Sequence, residues 1–152
     1  MPLCVRIVVC LCLCSVVGAS PVIRTGDEVL VVGDGFARDM ASRRLLEEIV
    51  DAHDGVDDVT FHHLGRPGME SVDLTEAVGT ESRDVDVVIV CVGVVDSIRG
   101  EEHLPRFIHE LSHFVRSWST RRVLLIAPVS PQTMKLDHGL VVGRFADAVC
   151  DV

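Results

Sequence analysis

The sequence predicts one α/β domain built on a parallel sheet covered by helices on both faces. Three observations predict it. Four short runs are almost wholly apolar and rich in valine and isoleucine, helix-forming stretches separate them, and loops rich in glycine or proline follow them. With 152 residues, 48% of them hydrophobic, the chain has material for one core and not for two.

The first strand is read at Val29 to Val32, closed by Gly33, Asp34 and Gly35; Ala37 to Ala52 then places Ala41, Leu45, Ile49 and Ala52 at helical spacing. Val59 to His62 is a second strand, Gly65 to Gly68 its loop, and Glu70 to Val78 a short helix or irregular crossover. Val85 to Val92 is the most hydrophobic strand. Gly93 to Gly100 reads as a loop, and Glu102 to Trp118 as a helix whose core stripe runs through Leu104, Ile108, Leu111, Val115 and Trp118. Arg122 to Ala127 is a fourth strand, Pro128 to Gly139 a loop, and Leu140 to Cys150 a final helix. The expected sheet order is 2-1-3-4 with right-handed crossovers. In such sheets ligands sit at the carboxyl ends of the strands, so the loops after Val32, His62, Val92 and Ala127 are where chemistry is expected.

Residues 1–19 read as a secretory leader. Arg6 supplies the early positive charge, Ile7 to Val17 is apolar apart from Ser15, and Val17, Gly18 and Ala19 suit a peptidase site. The run is roughly half what a helix needs to cross a bilayer, so a mature, secreted domain of residues 20–152 without a stable membrane span is expected. Four of the six cysteines, Cys4, Cys10, Cys12 and Cys14, fall in that leader, leaving Cys91 and Cys150, which are expected as unpaired core thiols. A net charge of −9 with no basic stripe argues against a nucleic-acid partner.

Three loops resemble, in order, the sequence blocks of the SGNH (GDSL-type) hydrolases. Val29 to Gly35 (VLVVGDG) looks like the first block, a strand followed by Gly-Asp-Ser. His63 to Gly68 (HLGRPG) is similar to the second, Asn-x-Gly-x-x-Gly, and Val88 to Asp96 (VIVCVGVVD) resembles the third, a strand ending in Gly-x-Asn-Asp. The resemblance covers about residues 28 to 150. It implies a three-layer α/β/α domain with a flavodoxin-like parallel sheet, ancestral ester hydrolysis, no cofactor, and a cleft built around Asp34, Gly35, His63, Gly65 and Asp96. It also places the oxyanion hole at Gly35, Gly65 and Val95.

The departures fall on the reacting positions. Gly35 stands where the nucleophilic serine belongs, His63 and Val95 stand where the two asparagines belong, and the family's Asp-x-x-His block is not found; Asp137 and His138 are the nearest pair, in a loop. Glycine offers no atom to attack an acyl carbon, and without the histidine nothing activates a hydroxyl. The resemblance therefore implies either a degenerate, inactive relative, able at most to hold a small acyl or carboxylate ligand, or a C-terminally truncated one. The last strand of the family fold is expected to be missing, which leaves the final helix weakly anchored.

Two other patterns compete. His109, Glu110 and His113 match His-Glu-x-x-His, the zinc-peptidase motif, but both histidines fall opposite Leu111, on the side expected to face solvent, and Arg116 stands where the extended motif has glycine. Gly33 and Gly35 after a strand could open a dinucleotide fingerprint, but Arg38 occupies the third glycine position and Asp34 would repel a pyrophosphate. His62 and His63 are adjacent on a strand end and should point to opposite faces.

Overall fold

The computed structural model describes residues 22–79, 84–128 and 136–152, so the leader reading of residues 1–19 lies outside the described residues. Strands β1 (Glu28–Gly33), β2 (Thr60–Gly65), β3 (Val87–Cys91) and β4 (Arg122–Leu125) form a parallel sheet in the order β2-β1-β3-β4. This is the order that the alternation of runs and helices predicts.

The apolar character of β1 and β3 follows from burial on both faces. Val29 and Val31, with Val87, Ile89 and Cys91, pack on one side under α1 (Gly35–Ser42), where Ala37 and Met40 cover them. Leu30 and Val32, with Val88 and Val90, face the other side, where α3 (Leu74–Val78), α5 (Leu104–Ser117) and α6 (Leu136–Cys150) supply Leu74, Val78, Phe107, Leu111, Phe114, Phe145 and Val149. Alternate side chains thus serve opposite layers, the period-two consequence of a covered sheet. On edge strand β4 no residue is fully buried.

The helices depart from the sequence reading in four places. The first long helix is two: α1 ends at Ser42, Arg44 turns left-handed at φ 51°, and α2 (Leu45–Asp51) restarts. The stretch read as a loop after β3 contains α4 (Val94–Ile98), started by Gly93 at φ 113°. The buried stripe of α5 is Phe107, Leu111 and Phe114, continued by Trp118, while Ile108 is exposed. The two phenylalanines turn the helix about 50° from the expected stripe. The last helix begins at Leu136, so Asp137 and His138 lie in its first turn and not in a loop.

Nor is the last helix weakly anchored. Its Val142, Phe145, Ala148 and Val149 are buried, and the Phe145 ring meets Phe107 at 5.0 Å. Cys150 at its end is exposed, which corrects the core position read for it; Cys91 is buried, and both thiols are free. Helix α2 buries no residue fully. At about 1.5–3 kcal/mol per buried aliphatic or aromatic side chain, α6 is the better held of the two. Hydrogen exchange should therefore show residues 45–51 opening before residues 141–150. The reverse order would mean that the Phe145 contact does not hold in solution. Among the described residues no helix is long and apolar enough to cross a membrane.

Candidate functional site

The carboxyl ends of the strands surround a cleft of about 340 Å³. Asp34, Gly35, Phe36 and Asp39 enter it from the β1 end and α1, Pro67 and Gly68 from the loop after β2, Cys91, Val92, Val94 and Val95 from the β3 end, and Ile126, Ala127 and Pro128 from the segment after β4. All four strands contribute because β1 and β3 end at the same level, with Gly33 opposite Cys91 and Gly65 opposite Gly33.

Asp34 caps α1. Its Oδ1 accepts the Phe36 amide at 2.9 Å, its own amide donates to the Cys91 carbonyl at 3.0 Å, and its carbonyl accepts the Arg38 amide at 3.2 Å. Burial raises its pKa above the ordinary carboxylate value, the Asp96 and Asp39 charges push the same way, and the Phe36 and Val94 amides oppose them. Burial, then the Asp34 charge, pushes the Cys91 thiol far up. That shift disfavours the thiolate, the nucleophilic form, although Cys91 lines the cleft.

Gly35, the first residue of α1, borders this cleft, and a Cβ placed on it meets no atom within 4 Å. The position has room for a side chain and carries none. Val95 presents hydrocarbon to the cleft where an amide would supply a hydrogen-bond donor.

The other residues expected at the site are placed elsewhere. Gly65 does not line the cleft; it lies against α1, where a Cβ would come within 2.4 Å of the Arg38 backbone nitrogen, so its glycine serves packing of β2 on α1. Gly68, at φ 81°, borders the cleft in its stead. Asp96 turns inward: its Oδ1 accepts both the Ser71 amide (3.1 Å) and the Ser71 hydroxyl (2.6 Å), tying α4 to the 3-10 turn Ser71–Asp73. Burial raises its pKa as well, against the lowering effect of the Ser71 hydrogen bonds.

His63 stacks on Phe61 and its Nε2 lies 3.1 Å from Glu47 Oε1 of α2, outside the cleft; His62 meets Glu28 at 2.6 Å on the other face. The two histidines do point apart. His109 and His113 are exposed on α5, and among the described residues no three His, Cys, Asp or Glu side chains are grouped as a metal would require.

Cys91, Gly68 and Asp39 are among the cleft residues that the sequence reading did not name as ligand contacts. Cys91 was legible in principle, because the last residue of a buried strand stands at the ligand end of the sheet. Gly68 follows proline in a turn, and only the backbone path decides which glycine of the block reaches the cleft.

A parallel sheet in this order, with its cleft at the strand ends between a Gly-Asp turn and a short helix, is a fold this chain shares with solved esterases and G-D-S-L lipolytic proteins. An acetyl xylan esterase variant from Geobacillus stearothermophilus superposes with a TM-score of 0.65 at 14% identity, over 86% of this chain and 73% of that one. A putative lipolytic protein of the G-D-S-L family from Desulfitobacterium hafniense gives 0.64 at 17%, over 82% and 70%. A G-D-S-L lipolytic family member from Veillonella parvula gives 0.66 at 16%, over the same shares. No family model matches the sequence, and no curated protein matches it. The likeness is therefore one of fold, with the reacting residues to be judged on this chain alone.

Proposed function

We propose that this chain is a secreted, SGNH-esterase-like domain that holds a small acyl-type ligand in the strand-end cleft without hydrolysing it. The observation that carries this reading is Gly35, a sterically open position at the head of α1, on the cleft wall, with no hydroxyl. The esterase neighbours support an ester-binding ancestry. The secreted location rests on the leader pattern of residues 1–19 alone.

The chemistry supports inactivity at three points. No serine and no histidine is among the described residues lining the cleft, Val95 withholds a donor whose kind is worth about 3 kcal/mol in a transition state, and burial holds Cys91 protonated. Gly35→Ser restores the attacking oxygen without a base. Because triad members act as a unit, it should recover only a small fraction of an esterase rate.

The test is turnover of a short-chain p-nitrophenyl ester by the wild type and by Gly35→Ser, each with and without a chelator. Neither should exceed the buffer rate by more than about tenfold, against the 10⁶-fold or more of working enzymes. Chelator-sensitive wild-type turnover would instead favour a zinc hydrolase using His109, Glu110 and His113. Chelator-insensitive turnover that survives repurification would overturn the inactive reading.

A further inference from the structure

Helix α5 carries a motif that the cleft does not use. His109 and His113 stand four residues apart, one turn and about 6 Å along the axis, so both belong to one helix face. The opposite face fixes that one: Phe107, Leu111 and Phe114 are each 1% exposed in the core, which holds the helix against rolling and leaves both histidines in solvent. Neither lines the strand-end cleft. His62 and His63 are engaged by Glu28 and Glu47, whereas no other described residue bonds to the ring of His109 or His113.

We propose that His109 and His113 together bind a transition-metal dication of the Zn²⁺ and Cu²⁺ class, at a surface site separate from the cleft and without catalysis. This goes beyond the acyl-binding reading and does not depend on it. A neutral imidazole nitrogen is a good donor to such ions, whereas Mg²⁺ and Ca²⁺ take oxygen ligands. One exposed imidazole holds a metal weakly. A second, held one turn away by an anchored helix, acts at an effective concentration of about millimolar or more and slows the escape of the ion.

An enclosed metal requires three or more grouped protein ligands, which the described residues do not offer; an exposed ion requires fewer, because water fills the remaining positions. The missing third ligand and the distance from any cleft residue separate this site from a peptidase centre. Arg106 and Arg116, one turn to either side, repel a cation, but they are exposed and water screens the repulsion. Glu102, on the turn before Arg106, carries the opposite sign.

The full chain, without an added histidine tag, is titrated with zinc chloride at about pH 7.5, where imidazole is mostly neutral. The ring nitrogens of its seven histidines are followed by NMR. One zinc per chain should shift the rings of His109 and His113 together, copper(II) should bind more tightly than zinc, and magnesium chloride should shift neither ring. His109→Asn and His113→Asn should each weaken zinc binding by at least about tenfold, and His53→Asn, in the exposed turn after α2, should change it by less than about twofold.

Zinc shifts confined to other histidines, or an affinity that both single variants retain, would overturn the assignment. So would the absence of any shift at about millimolar zinc. A zinc-dependent rise in ester turnover that either variant abolishes would overturn the non-catalytic role in favour of hydrolysis at these residues.

Discussion

Gly33→Ala is expected to cost more than about 4 kcal/mol and to leave little folded protein. Gly33 ends β1 opposite Cys91 of β3, and a Cβ there would lie 2.1 Å from the Cys91 carbonyl oxygen and 2.7 Å from its carbon. Neither backbone can yield cheaply. The same carbonyl accepts the Asp34 amide at 3.0 Å, and the Gly33 carbonyl accepts the Arg66 amide at 2.9 Å. Moving β1 away from β3 would break the central pair of the sheet, whose residues are almost completely buried.

The control is Gly35→Ala two positions on, where the added carbon meets nothing within 4 Å; its stability should change by less than about 1 kcal/mol. Urea unfolding followed by fluorescence of Trp118, the single tryptophan, reads both variants. A Gly33→Ala midpoint close to that of wild type would mean that β1 and β3 do not approach as described.

Asp96→Ala should cost about 3–4 kcal/mol. The carboxylate is the acceptor for both the amide and the hydroxyl of Ser71, which is itself buried, so truncation leaves two donors unpaired in the core and opens a small cavity. Asp96→Asn keeps an oxygen for the two donors and removes a charge that burial disfavours, so it should cost far less, within about 1 kcal/mol.

The two effects separate with pH. The folded-state pKa of Asp96 is raised above the ordinary 3.8, so the folded protein takes up this proton first and is stabilised by it. As pH falls through the raised pKa toward 3.8, the stability of wild type relative to Asp96→Asn should therefore increase, and as pH rises again that gain is lost. A constant difference across the interval would mean that Asp96 is not buried as a carboxylate on Ser71.

These residues mark how far the sequence could be read. Strands β1 and β3 were legible because burial on both faces forces unbroken apolar runs, and the cleft's location followed from the strand ends. Helix α4 was not, since five residues between Gly93 and Gly100 are too few to show a helical period. The break before α2 escaped notice because Arg44 adopts a left-handed conformation that glycine would ordinarily announce. The stripe of α5 was misplaced by following aliphatic spacing alone and passing over Phe107 and Phe114.

The site was legible in its frame and less so in its details. Asp34, Gly35 and Val95 line the cleft, because residues that directly follow a strand end have little freedom to go elsewhere. Gly65 and His63 do not, because a glycine wedged against α1 and a histidine paired with Glu47 are set by neighbours distant in sequence. Asp96 was read as a ligand contact from its place in the block, and only tertiary structure supplies Ser71 as its partner.

The proposed lack of an activated nucleophile is most directly tested by covalent labelling. The purified wild type is treated with a reactive alkyl phosphonate ester, which phosphonylates activated serines and releases its leaving group, and the intact mass is measured. No adduct is expected on the wild type, and only slow, substoichiometric labelling on Gly35→Ser, because neither protein has a histidine among the described cleft residues to remove a hydroxyl proton. Rapid, one-to-one labelling of the wild type, with the adduct mapped to any serine, would contradict it.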